Sequence, residues 1–366
     1  MNVAIVHFVL LYMSGAEKVL EALCELYPEA DIYTHVYDPT DISSVIKKHN
    51  IKTTFINKLP AARTFYQYYL PLMPYALEQL DLSGYDLIIS CESGPTKGII
   101  PDPDTLHVCY CHSPMRYIWD MYNDYVDRKS LILRIVLGHL IHVLRIWDHT
   151  TASRVDLFIA NSSYVAKRIK KYYRMDSLVL SPPVNTDRFE ISDKIDEYYL
   201  WVGRLVHYKR PDIAVDAFNA LGKRLIMIGD GEGIKSLRRK ANSNIEIMGF
   251  QPFDVLQEKL AKCRALIFPG IEDAGIIPVE AMASGRPVIA FNKGGLKDTI
   301  IDGKTGLFFN EQTAAGLASA VVEFETKMAI FDSQLIAEHA KSFSKLNFKL
   351  KFKQIIDEQL EMHRSA

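Results

Sequence analysis

Residues 265–288 read Ala265-Leu266-Ile267-Phe268-Pro269-Gly270-Ile271-Glu272-Asp273-Ala274-Gly275-Ile276-Ile277-Pro278-Val279-Glu280-Ala281-Met282-Ala283-Ser284-Gly285-Arg286-Pro287-Val288. The apolar run Ala265–Phe268 is closed by Pro269 and reads as a buried strand. The loop after it carries Glu272 and Gly275, and a helix begins near Ile276 with Pro278 in its first turn, where proline is tolerated. A further strand opens at Val288. Strand, helix and strand in one such stretch predict a βαβ unit and a parallel sheet.

The pattern repeats outward in both directions. In the second half Tyr198–Val202, Leu225–Ile228, Ile245–Met248, Val288–Phe291 and Gly306–Phe309 also read as strands, with helices at Asp212–Leu221, Glu232–Ala241, Phe253–Lys262 and Pro278–Ser284. In the first half Val3–Val9, Asp31–Val36, Asp86–Ser90, Leu106–Cys111, Asp156–Asn161 and Leu178–Ser181 are expected strands, and Ala16–Leu26 and Tyr164–Tyr173 helices. The fold class is therefore α/β, with two Rossmann-like, doubly wound parallel-sheet domains. Pro182 and Pro183 forbid continued helix and stiffen a short connection, which sets the boundaries at 1–181, 182–345 and 346–366, the last a C-terminal helix expected to return to the first domain. Such domains are expected to face each other across a cleft lined by the carboxyl ends of both sheets, where open α/β sheets bind ligands.

With 366 residues, 48% of them hydrophobic and 24% charged, disorder is excluded, and Lys+Arg 43 against Asp+Glu 44 lacks the basic excess of a nucleic-acid binder. The five cysteines form no CxxC pair; Cys109-x-Cys111-His112 has no fourth ligand nearby, so no metal site and no bound cofactor are expected. The opening Met1-Asn2-Val3-Ala4-Ile5-Val6-His7-Phe8 has neither a basic n-region nor a cleavage site, which makes it a first strand and the expected location the cytoplasm.

Chemistry concentrates in a few segments. Amides of Gly275 and Ile276 at the helix start make an anion site, and Glu272 and Glu280, eight residues apart, reach a ligand above it. Carboxylates accept from vicinal hydroxyls, so a sugar or ribose fits them. Taken alone, Glu280 also reads as a surface helix residue and Glu272 as a cap. Arg204, just past a strand, and Lys209, five residues on, would clamp a pyrophosphate and stabilise charge on a departing phosphate. Gly249 and Phe250 follow the strand Ile245–Met248. Gly229-Asp230-Gly231-Glu232-Gly233 lacks the spacing of a dinucleotide fingerprint, and Pro101-Asp102-Pro103-Asp104 reads as a turn; both are set aside.

Gly203-Arg204-x-x-x-x-Lys209-Arg210-Pro211, Pro183-Val184-Asn185-x-Asp187-x-Phe189, Asn161-Ser162-Ser163-x-Val165 and Glu272-x7-Glu280 together resemble the retaining GT-B glycosyltransferases of family four. The stretch Cys111-His112-Ser113-Pro114-Met115-Arg116-Tyr117-Ile118-Trp119-Asp120, with Ala16–Glu21 and Ser90–Gly98, is similar to bacterial mannosyltransferases that build O-antigen and related surface polysaccharides. The resemblance implies an acceptor domain followed by a nucleotide-sugar donor domain. It implies Arg204 and Lys209 on the donor diphosphate, Glu280 on the ribose, Glu272 and His112 on the donor sugar, Gly249 and Phe250 near the nucleotide base, and Gly15 close to phosphate or acceptor. The implied reaction moves mannose from GDP-mannose, with retention and no metal, to a polyprenyl-linked saccharide. The family's first loop usually carries Gly-Gly where this chain has Gly15-Ala16, and an aromatic is common where it has Ala274. If position 16 needed a positive φ, the loop around Ala16 would have to adjust.

Two rival classes remain at this level. A nucleotide-sugar epimerase of the same architecture would need no acceptor, and a hinged sugar-binding protein would ordinarily carry an export signal. Ser130–Trp147 is far more apolar than a typical surface helix, with a narrow polar stripe at Arg134, Gly138, His142, Arg145 and His149. It reads either as a helix packed between the first sheet and the final helix, or as an interfacial helix leaning on the cytoplasmic face of the inner membrane. The aromatic segment Phe65-Tyr66-Gln67-Tyr68-Tyr69-Leu70-Pro71 would add a second contact.

Overall fold

The computed structural model describes residues 1–123 and 130–365. It divides into two compact units, Met1–Pro182 together with the chain from Phe348 on, and Pro183–Asn347. The first unit contains β1 (Val3–His7), β2 (Leu10–Tyr12), β3 (Asp31–Thr34), β4 (Tyr37–Asp41), β5 (Ile51–Thr53), β6 (Leu87–Glu92), β7 (Leu106–Cys111), β8 (Leu157–Ala160) and β9 (Ser177–Val179). Seven of these form one parallel sheet in the order β5-β3-β1-β6-β7-β8-β9, and β2 pairs with β4 apart from it. Every residue of β1, β6 and β7 is buried, as parallel strands covered on both faces must be.

Helix α1 (Gly15–Leu26) lays Val19, Leu20 and Leu23 on one face of this sheet, against Ile5, Ile89 and Val108. Phe348, Phe352, Ile356 and Leu360 of the final helix, Lys345–Ser365, join the same core at four-residue intervals. The strand expected over Val3–Val9 stops at His7. At Phe8 the chain turns, its carbonyl accepting from His35 N at 3.1 Å and Thr34 Oγ1 at 3.2 Å, before continuing into β2.

Helix α2 (Leu131–Thr150) departs from the core-helix expectation. It buries only Leu144 and Asp148 and packs on Met115 and Ile118, with Trp119 and Trp147 beside them, rather than between the sheet and the final helix. Leu131, Ile132, Ile135, Val136, Val143 and Ile146 stand at least half exposed, from 50% to 78%. Among the described residues no helix is long and apolar enough to cross a membrane. The buried Asp148 anchors α2: it accepts from Trp119 Nε1 at 2.7 Å and Tyr173 OH at 3.0 Å, and pairs with Lys97, whose Nζ lies 3.5 Å from Glu92. Tyr173 ends helix α3 (Ser163–Tyr173), so one buried carboxylate joins three segments.

The second unit holds β10 (Tyr199–Val202), β11 (Leu225–Ile228), β12 (Ile245–Gly249), β13 (Leu266–Phe268), β14 (Val288–Phe291) and β15 (Gly306–Phe309) in a parallel sheet ordered β12-β11-β10-β13-β14-β15. Two apolar clusters cover its faces. In both sheets the order reverses once, between β1 and β6 in the first and between β10 and β13 in the second. Loops leaving those neighbouring strands diverge to opposite faces and open a crevice at their carboxyl ends. On the β11 side of β10, Gly229, at φ +136°, approaches so closely that a Cβ there would lie 1.8 Å from the Gly203 carbonyl oxygen.

Three first-unit histidines are uncharged in the fold. Burial lowers the proton affinity of His35 to about 3, His107 to about 4 and His112 to about 3. Unfolding restores their ordinary value of 6.5, so their contribution is complete above pH 6.5 and is lost as pH falls towards 4 and then 3. At pH 5 the loss reaches up to about 2 kcal/mol per histidine. Urea melts of a Trp201→Phe variant, whose remaining tryptophans Trp119 and Trp147 report the first unit, should show a lower midpoint at pH 5 than at pH 7.5; an unchanged midpoint would contradict the assignment. Gly229→Ala should destabilise the second unit by about 2 kcal/mol or more through combined strain and overlap. Trp201 fluorescence during denaturation measures this.

Candidate functional site

At the second sheet's reversal, β10 delivers Gly203 and Arg204, and β13 delivers Pro269 to Glu272. The two loops touch: a Cβ on Gly270 would lie 2.9 Å from the Lys209 backbone. Lys209 closes a single 3-10 turn, His207–Lys209, and its Nζ lies 2.8 Å from Glu272 Oε1, both side chains partly exposed. Arg210 adopts φ 52° and grips Asp212 through Nε at 3.0 Å and Nη2 at 2.8 Å, fixing the start of helix α4 (Pro211–Leu221). That clamp occupies Arg210 and leaves Arg204 and Lys209 as the cations at the crevice.

Arg204 is exposed and lines a cavity of about 640 Å³ together with Gly203, Gly229, Asp230, Phe250 and Gln251. Phe250 is 80% exposed, and the carbonyl of Gly249 just before it accepts from Gly229 N at 2.8 Å. The glycine segment Gly229-Asp230-Gly231, set aside in the sequence reading, thus forms a wall of this cavity. Its signal was a glycine pair directly after a strand. Spacing tuned to a dinucleotide fingerprint hid it.

Gly275, at φ +79°, is the N-cap of helix α5 (Ile276–Ala283), and Ile276 is its first residue. A Cβ at 275 would meet Leu296 Cδ1 at 2.7 Å, so the loop requires glycine on two counts. Glu280 is 3% exposed within α5, which removes the surface-helix reading, and Gly275 rather than Glu272 supplies the cap.

Gly15 and His112 belong to the first unit. His112 follows β7; its backbone N donates to the Glu92 carbonyl at 2.9 Å, and its own carbonyl accepts from Asn161 Nδ2 at 2.9 Å. Its ring meets that of Tyr110 edge-on at 5.1 Å, with Nε2 turned away from solvent. Ser162, next to Asn161, caps α3 by accepting from Val165 N at 3.2 Å, so the Asn161–Val165 pattern anchors His112 and starts a helix. Gly15 opens α1 after the N-cap Ser14, and Ala16 is helical, with no positive φ to accommodate. Ala274 lies in the loop just before Gly275, where Gly295 approaches so closely that a Cβ on Gly295 would lie 2.0 Å from the Asp273 carbonyl oxygen. Cys109 and Cys111 are buried free thiols, and among the described residues no three His, Cys, Asp or Glu side chains are grouped to hold a metal.

The model of Glycosyltransferase Family 4 matches residues 13–188, and that of Glycosyl transferases group 1 matches residues 196–326. An uncharacterized glycosyltransferase of Methanocaldococcus jannaschii is 30% identical over 195 residues, covering 52% of this chain and 55% of that one. An alpha-1,3/1,6-mannosyltransferase of Dictyostelium discoideum is 26% identical over 252 residues, covering 55% of this chain and 57% of that one. The chain thus spans about half the length of these relatives. Anabaena HepE, solved in complex with UDP, superposes with a TM-score of 0.69 at 16% identity, over 98% of this chain and 100% of that one. With one family model on its first unit and the other on its second, the chain has the GT-B fold of the family-four, group 1 glycosyltransferases.

Proposed function

We propose that the chain is a retaining glycosyltransferase that moves mannose from GDP-mannose to a saccharide on a polyprenyl carrier, in the assembly of a surface polysaccharide such as O-antigen. The observation that carries this reading is the convergence of Arg204, Lys209 and Glu272 at the reversal of the second sheet, beside a cavity of about 640 Å³. That volume suits a nucleoside, and the two cations suit its diphosphate. Glu272 and Glu280 would accept hydroxyls of sugar and ribose, and the α5 start at Gly275 and Ile276 would offer amides to sugar and phosphate. The Dictyostelium relative supports mannose as the sugar, and the Anabaena complex supports a nucleoside diphosphate in this fold. His112, neutral in the fold, would contact the donor sugar, and the leaving diphosphate would assist removal of the acceptor proton.

Nucleotide sugars should raise the melting temperature of the protein by mass action, GDP-mannose more than UDP-glucose. Arg204→Ala should weaken that protection and lower kcat/KM for the donor by roughly 10- to 150-fold, the worth of a charged hydrogen bond of about 1.5–3 kcal/mol. Transfer should persist in EDTA, since the clamp supplies the charge. Protection by no nucleotide sugar at all would refute the reading.

The reading also includes a resting place on the cytoplasmic face of the inner membrane. Leu131–Trp147 contains no carboxylate, carries Arg134 and Arg145, and exposes its apolar face, while Phe65 and Tyr68 stand 50% and 79% exposed. An apolar face with cations fits an anionic lipid surface. Leu144 is buried and unsuited to a test, whereas Ile132 and Ile135 are exposed. Anionic phospholipid vesicles should sediment the wild type and lose the Ile132→Glu/Ile135→Glu protein. Retention of wild-type protein in the supernatant at low salt would rule the contact out.

A further inference from the structure

The contact between Lys209 and Glu272 joins two residues that the function proposed above sends to different ends of one donor, the diphosphate and the sugar. Both backbones are pinned. Lys209 N donates to the Val206 carbonyl at 3.1 Å, and a Cβ on Gly270 would stand 2.9 Å from the Lys209 backbone. The Glu272 carbonyl accepts from Gly295 N at 2.9 Å, and a Cβ on Gly294 would lie 2.6 Å from that same oxygen. The Lys209 side chain runs past the end of β10, where a Cβ on Gly203 would meet its Cδ at 3.2 Å and its Nζ at 3.5 Å. Any rearrangement of the contact therefore belongs to the two side chains.

The contact is poorly satisfied as it stands. Nζ lies 2.8 Å from Glu272 Oε1, yet Oε1 is buried and receives no aligned hydrogen bond from Lys209 or from any other described residue. Charge holds the two together without direction. A buried acceptor short of a donor is costly, and an ion pair between partly exposed side chains is weak. Phosphate oxygens offer the Lys209 ammonium concentrated negative charge and acceptors in several directions, while a sugar hydroxyl offers Glu272 the donor that it lacks. A ligand with both groups satisfies both residues as it parts them. A diphosphate without a sugar takes Lys209 and leaves Glu272 with nothing in exchange.

We propose that Lys209 and Glu272 form an exchangeable latch. Lys209 gives up Glu272 for the donor diphosphate, which uncovers Glu272 Oε1 for a sugar hydroxyl; once the sugar has been transferred the pair re-forms and weakens the hold on the nucleoside diphosphate. The ligand assignments rest on the function proposed above; the pairing does not. Calorimetric titration of the full chain with GDP tests the exchange. Glu272→Gln removes the charge that competes for Lys209, so GDP should bind it about threefold more tightly than wild type, the scale of a partly exposed ion pair. That gain should vanish without the lysine: Lys209→Met/Glu272→Gln should bind GDP no more tightly than Lys209→Met alone. Glu272→Ala makes the same comparison should the Gln variant fail to fold. Equal or weaker GDP binding by the folded single variant would overturn the latch. So would a gain of the same size in the Lys209→Met background, which would reduce Glu272 to plain repulsion of the anion. Inorganic pyrophosphate repeats the series without a nucleoside. A gain with pyrophosphate but no binding of GDP would refute the nucleotide reading and keep the latch, whereas failure of the wild type to bind either ligand would remove both.

Discussion

A parallel sheet wound in both directions has one place where its connections part company, and each unit of this chain is organised around that place. Between β10 and β13 the departing loops are those that carry Arg204 and Glu272; between β1 and β6 they carry the turn into α1 and the segment after Glu92. Neither set of residues is adjacent in sequence. Backbone hydrogen bonding of the strands, satisfied by their neighbours on both sides, leaves the loops free to be chemically unlike one another.

Loops brought together in this way must be thin where they cross. At the second sheet the thinness is supplied by missing side chains: the positions of Cβ atoms at Gly229, Gly270 and Gly275 are taken by Gly203, Lys209 and Leu296 respectively. The charges then settle among themselves. Arg210 is absorbed by Asp212, and Lys209 leans on Glu272, while Arg204 stands at the cavity rim. Three basic residues within seven positions therefore end in three different roles, and only coordinates separate them.

Much of this was legible beforehand because parallel strands are short, continuous and β-branched. The six strands expected of the second unit all occur, Glu272 lies in the loop and Glu280 on the helix as expected, and Gly275 ends the loop as the helix N-cap. What escaped was structure too short or too irregular for periodicity: Ile51–Thr53 has three residues, and β2 and β4 pair only after the chain has turned at Phe8. Burial of Glu280 and exposure of α2 were equally illegible, since a helix records which residues share a face but not what lies opposite. The buried contact between His7 Nε2 and Glu17 Oε1, at 3.0 Å, was missed because its two ends belong to a strand and a helix whose stacking no local pattern encodes.

The buried group of Glu92, Lys97 and Asp148 has a consequence for descent. All three side chains are fully enclosed, two acids about one base, with Trp119 and Tyr173 completing the bonds of Asp148. Removing one partner of such a group strands an ion away from water, at a cost of about 3–5 kcal/mol, although an apolar set of matching volume is tolerated. Single-step drift at any of these positions passes through a form that has spent much of a typical domain's stability. Lineages are thus confined to keeping the three together or exchanging them together, and chains related to this one should fall into two discrete classes at these positions, with few intermediates between.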